Sequence, residues 1–268
     1  MSNRQTDPKW GICRLCGFEG RLSFEHVPPE KAFNNRGLLF SDINLAFGDS
    51  RDQVVNIERR RGLGAHTLCE KDNNWTGKVY APSFIDWVKD SYQALKLGSH
   101  LPLISQWREF YPLRVLKQIA TMVFSANSEN FHKVHPELVN FVLNKKDNSL
   151  SPRYRFFLYF NHIGRKRLVG NAAMIDIPKQ RSIYISEITF PPYGYVFCID
   201  STPSDSRLYE ITHFSSYGYK EKKRLNLEVP VLPTYTQYPG DYRTEKEVLS
   251  DAGFSPVLFG QQEIPYLL

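Results

Sequence analysis

Seven residues in the first 80 positions have side chains and spacings suited to chemistry: Cys13, Cys16, Glu25, His26, Cys69, Asp72 and Asn73. Two residues separate the cysteines in "CRLCG", a spacing that lets both thiolates of a tight turn reach one ion, and Gly17 relaxes the backbone beneath them. A structural zinc takes four ligands, and Cys69 offers a third. Asp72 stands three residues after Cys69, where a second CxxC pair would place its last thiolate. A carboxylate oxygen binds zinc at a comparable distance, so the expected set is Cys13, Cys16, Cys69 and Asp72, with His66 as the alternative fourth ligand.

His26 follows ten residues after Cys16, in "SFEHVPP". Side chains of neighbouring residues point different ways, so on a hairpin Glu25 can face a metal while the His26 ring faces a water. A strand-like "HTLC" then leads into the helical "EKDNNWTGKVY".

The order CxxC, EHxxP and LCxxxNNxxGxxY resembles the zinc-stapled HNH endonucleases of the His-Me finger (ββα-metal) group, over about residues 10 to 90 or a third of the chain. The resemblance implies a ββα-metal module in which His26 is the general base, Glu25 the first ligand of a catalytic ion, and Asn73 the helix-borne second ligand. It also implies a DNA substrate, and a setting in a mobile element or in bacterial defence against phage. Two positions depart from the family pattern. Asp72 replaces the fourth cysteine, and Gly64 stands where Asn or His is usual, with His66 close by but out of register. The chemistry suits the assignment. Histidine ionises near pH ~6.5, so its neutral form is available to deprotonate a water. Oxygen donors from Glu25 and Asn73 suit Mg²⁺ or Mn²⁺, while thiolates suit zinc. Two other readings differ in class: a non-catalytic zinc module that binds nucleic acid or protein, and a nuclease that acts on RNA or waits for a partner.

These groups need elements to hold them. The chain has 268 residues, of which 41% are hydrophobic, enough for a substantial core and too apolar for a disordered chain. Up to about residue 80 long apolar segments are few, and a metal would staple such a region. Beyond it, "APSFIDWVKDSYQALKLG" predicts a helix with Phe84, Trp87, Val88 and Tyr92 on one side and Gly98 as its stop. A second helix begins at Pro112, and "HPELVNFVLNK" predicts a shorter third. After Ser151, "RYRFFLYF", "RSIYISEITF", "YGYVFCID", "RLYEITHF" and "LNLEVPVL" read as strands. The expected fold is therefore α+β: a metal-stapled module over residues 1–97, then helices followed by an antiparallel sheet over 98–268.

The net charge of +6 agrees with a nucleic-acid partner without requiring one. Arg59, Arg60 and Arg61 are candidate phosphate contacts, whereas "GRKR" (164–167) and "KEKKR" (220–224) read as solvated turns. Trp75 and Tyr80 read as packing residues, and Cys198 as a core residue. No apolar run reaches the ~20 residues of a membrane span, and the N-terminus lacks the apolar segment of a signal peptide. The expectation is a cytoplasmic protein with reduced thiols, no membrane contact, and a C-terminal domain free to engage a protein partner.

Overall fold

The computed structural model describes residues 9–41, 56–59, 62–176 and 180–251. Strand β1 (Lys9–Ile12) and strand β2 (Glu19–His26) form an antiparallel hairpin around the CxxC turn. After a small ladder of β3 (Leu38–Ser41) with β4 (Asn56–Arg59), strand β5 (Gly64–Cys69) returns to pair antiparallel with β2. Helix α1 (Glu70–Val79) follows β5 with no intervening residue, so β2, β5 and α1 form two antiparallel strands and a helix in succession.

Helix α2 spans Ala81–Gly98, with a proline in its first turn and Phe84, Trp87, Val88 and Leu95 buried. Strand β6 (Leu103–Phe110) leads to helix α3 (Pro112–Ala126), which also starts on proline. The three predicted helices are all present, the last as α5 (Pro136–Leu143) after the single turn α4 (Phe131–Val134). Helix α3 is buried on almost every side, from Leu113 to Ser125, because elements from both ends of the chain enclose it. Lys117 lies wholly inside, where its ammonium donates to the carbonyls of Phe141 and Asn144 (2.7 Å for the latter) and so caps the C-terminus of α5.

The sheet of the second half comprises β7 (Tyr154–Phe160), β8 (Arg167–Asp176), β9 (Arg181–Phe190), β10 (Tyr193–Ile199) and β11 (Tyr209–Glu210). They run antiparallel in the order β11-β7-β10-β9-β8. Strand β10 is buried along its whole length, which explains its unbroken apolar run, and Cys198 is among its core residues. Strand β12 (Lys223–Pro230) pairs with β6, and helix α6 (Glu245–Ser250) follows it. The mixed α+β character agrees with the sequence. Strands β6 and β8 were not anticipated, and "RLYEITHF" yields only the two residues of β11 before a short 3₁₀ turn (Thr212–Ser216).

The boundary expected at 97/98 falls in the last turn of α2, and the buried side chains form one continuous core across it. That core runs from Cys13, Leu22 and Leu68 through Trp87 and Leu116 to Phe156 and Tyr193, with the Trp87 and Tyr193 rings stacked 4.4 Å apart. Among the described residues no helix is long and apolar enough to cross a membrane.

One basic run differs from its expected role. Arg167 of "GRKR" begins β8 and is 3% exposed, because its guanidinium pairs with the fully buried Glu187 at 3.0 Å. The same guanidinium donates to the carbonyls of Thr236 and Asp241, and Glu187 accepts from Tyr159 and the Gly240 amide. The network fastens residues 234–242 over the second face of the sheet. Removing one partner leaves a buried charge uncompensated. Glu187→Ala is expected to cost about 3–5 kcal/mol, and Arg167→Met with Glu187→Leu less than that single change, as read by urea denaturation.

Candidate metal centre and active site

The CxxC turn between β1 and β2 brings Cys13 and Cys16 against the junction of β5 and α1. Gly17 has φ 77°, and a Cβ there would lie 2.5 Å from the His132 ring, so only glycine fits. Cys69 ends β5 and Asp72 lies in the first turn of α1, so the strand-to-helix transition presents both to the turn. The ligand atoms of Cys13, Cys16, Cys69 and Asp72 all lie within 4.8 Å of one another, the only such group among the described residues. Tetrahedral zinc, with bonds of about 2.3 Å to sulfur and about 2.0–2.2 Å to oxygen, separates two sulfurs by about 3.8 Å and a sulfur and an oxygen by about 3.5 Å. The structure gives 3.9 Å from Cys16 Sγ to Cys69 Sγ and 3.3 Å from Cys13 Sγ to Asp72 Oδ2. Both distances suit tetrahedral coordination, and the four side chains could hold a metal ion.

Without an ion, the buried thiols of this group hold their protons. Burial pushes the Cys13 thiol up to about 11 and also raises Cys16, against the lowering effect of backbone amides at the turn. Thiolates and a carboxylate crowded into this volume need a compensating positive charge, and binding a metal would expel their protons. His66, the alternative fourth ligand, is not a member of the group.

A second constellation lies further along β2. Strand β5 carries one extra residue there: Ser23 pairs with Leu68 but Phe24 with His66, leaving Thr67 as the bulge. Phe24, His26 and His66 share a face, with the Phe24 ring 5.0 Å from His26 and 5.4 Å from His66. Asn73 on α1 reaches the same stretch, its amide nitrogen donating to the Phe24 carbonyl (3.2 Å) and to Ser23 Oγ (2.9 Å). At about 3.3 Å per strand residue, the Cα of His26 lies about 7 Å beyond that of Phe24. His26 and Asn73, 47 positions apart in sequence, are thus brought to one locality. Gly64, where the family pattern has a side chain, pairs with His26 and has no room for one: a Cβ would lie 2.2 Å from the Glu25 carbonyl.

Glu25 behaves differently from its expected role beside a catalytic ion. It is 5% exposed, and its Oε2 accepts from Thr67 Oγ1 at 3.1 Å and from Ser125 Oγ in the last turn of α3. Burial pushes its carboxyl up to about 7, offset only in part by these donors and by Arg14. Alternation along β2 sends Glu25 inward and His26 outward. Thr67 and Ser125 were not singled out from sequence, nor was Asn34, whose buried amide bonds Pro28 and Leu63 and closes the loop after His26. A small polar residue inside the otherwise apolar run "MVFSA" is the one local sign of Ser125. Arg59 ends β4, while Arg60 and Arg61 lie outside the described residues. Trp75 and Tyr80 pack edge to face at 5.3 Å, as packing residues do.

No protein-family model matches the chain, and neither a curated protein nor a solved structure matches it.

Two outcomes test these sites. Zinc is expected to bind stoichiometrically and raise the melting temperature, Cys13→Ser or Cys69→Ser to abolish both effects, and Asp72→Cys to retain them, as measured by elemental analysis and calorimetry. Because its carboxyl is raised on folding, Glu25 contributes stability that is complete below its ordinary pKa and is lost as pH rises through about 7. Glu25→Gln should therefore gain on the wild type between pH ~4.5 and ~7, by on the order of 3 kcal/mol in zinc-saturated denaturation series.

Proposed function

We propose that the chain is an endonuclease that hydrolyses phosphodiester bonds in DNA, with His26 as its general base and a zinc-stapled fold around it. The observation that carries this reading is the convergence of His26 and Asn73 on one stretch of β2, within the β2–β5–α1 arrangement and beside a four-ligand cluster. The order of these elements agrees with the ββα-metal module that the motifs suggested.

The neutral imidazole of His26 takes a proton from a water as the water oxygen bonds to phosphorus. The bond from phosphorus to the leaving oxygen then breaks, and that oxygen acquires a proton from solvent. Such a base contributes on the order of 10²- to 10⁴-fold. A Mg²⁺ or Mn²⁺ ion, when bound, supplies charge to relieve the phosphate and the leaving oxygen. Of the two oxygen donors expected for it, the Asn73 amide oxygen is left for such an ion, whereas one Glu25 carboxylate oxygen, Oε2, already accepts from Thr67 and Ser125.

That engagement of Glu25 is the observation favouring the second reading, a non-catalytic zinc module that binds nucleic acid or protein. One assay separates the two. Supercoiled plasmid should be nicked or cut in Mg²⁺ or Mn²⁺ and spared in EDTA, with an RNA arm run in parallel. His26→Ala should lower the rate at least ~100-fold while zinc content and melting temperature stay unchanged. Full activity in that variant would remove His26 from the mechanism, and no cleavage of DNA or RNA by the wild type would favour the binding module.

A further inference from the structure

We propose that the solvent face of the β6–β12 ribbon docks a second copy of this chain, with Trp107 of each copy at a two-fold axis. That face shares no residue with the metal cluster or the His26 locality, so the dimer stands or falls independently of the nuclease reading.

The ribbon has two unlike faces. Along β6, Ile104, Gln106 and Phe110 are buried, while Leu103, Ser105, Trp107 and Glu109 are exposed. Leu227 and Val229 of β12 are buried with the first set, and Gln106 donates to the Tyr193 hydroxyl at 2.9 Å. The core therefore closes that face. On the other, Glu109 pairs across with Arg224, Trp107 with Asn226, and Ser105 with Glu228. Trp107 is 66% exposed at the middle of this face, and Leu103 is 46% exposed further along it. An indole at the centre with charged side chains around it has the composition of an interface core and its rim.

The charges around the ring select the occupant. Glu109 is paired with Lys222 at 2.7 Å, and Ser105 Oγ donates to Asn226 Oδ1 at 2.8 Å. Arg224 and Glu228 are both exposed, and among the described residues neither has an ion-pair partner. They flank Asn226 two residues to either side, so they lie about 7 Å up and about 7 Å down the ribbon from the Trp107 row. Lys222, Arg224, Glu109 and Glu228 together leave the face with no net charge to draw a polyanion.

A second copy satisfies the same groups. A two-fold axis crossing the strands at the Trp107–Asn226 pair lays one end of the face over the other. Arg224 then meets Glu228 of the partner subunit, and Glu228 meets the partner subunit's Arg224, so both open charges pair at once. Trp107 meets the partner's Trp107, the offset aromatic contact that joins two sheets stacked about 10 Å apart. The contact is small. Two strands of eight residues cover less than the about 800 Å² per partner of a stable interface, so the dimer is reversible, with Kd on the order of 1–100 µM.

The test is sedimentation velocity on the full-length, zinc-loaded chain across that concentration range, with melting curves to verify each variant's fold. The wild type should pass from monomer to dimer, and Trp107→Ala should raise Kd about thirtyfold or more. Arg224→Glu and Glu228→Arg should each raise it about tenfold or more, because like charges then face each other across the axis. Combining the two reversals should restore Kd to within about threefold of the wild type, which only this orientation of the two copies allows. Should Trp107→Ala fold poorly, the charge exchange decides alone. A chain monomeric throughout, a dimer indifferent to Trp107→Ala, or a double reversal as weak as the single ones overturns the proposal. So does a monomer that binds a single-stranded oligonucleotide and loses it in Trp107→Ala, which would give the face to nucleic acid. Plasmid cleavage, present or absent, moves none of these readouts.

Discussion

The first third of the molecule depends on keeping three sulfurs and one carboxylate within 4.8 Å of one another. Burial opposes ionisation of Cys13 and Cys16, while coordination would require it, so an ion held by this cluster would have to displace their protons. An ion there would tie residues 13–16 to residues 69–72 and close a loop of more than fifty residues. Such a clamp would set where α1 begins, and with it where Asn73 meets β2. The His26 neighbourhood would then be a downstream effect of sulfur and oxygen geometry some distance away. A hard catalytic ion and a soft structural one would keep to their own donors, amide oxygen for the first and thiolate for the second.

Much of this was legible from local spacing. The CxxC turn, the cysteine and aspartate three residues apart, and the proline-led helices α2 and α3 are short-range patterns, and each formed where its pattern stood. Most of the predicted strands formed too, because aromatic and β-branched runs resist other conformations. Strand β8 escaped notice since "RLVGNAAMID" mixes small and polar residues and owes its conformation to pairing with β9. The basic turn "GRKR" misled for a related reason: a carboxylate twenty residues away turned Arg167 inward. Charge in a sequence says nothing of what will face it.

Glu25 shows the same limit at the site itself. Beside a histidine it reads as a metal ligand, and only the three-dimensional packing of α3 reveals that it points into the protein. No spacing rule links positions 25, 67 and 125. A motif specifies residue types in one segment, whereas the partners that decide protonation and direction arrive from others.

The continuous core that ignores the expected boundary has a consequence for how this architecture can be transplanted. Severing the chain after α2 would strip α3 from beneath β2 and β5, baring Leu22, Leu68 and the Glu25 carboxyl to water. Neither the motif-bearing segment nor that segment extended through Asn127 is therefore portable alone, since α3 is itself enclosed by the second half of the chain. Recombination that shuffled only the former onto a new scaffold would have to rebuild a serine-tipped helix in the same place.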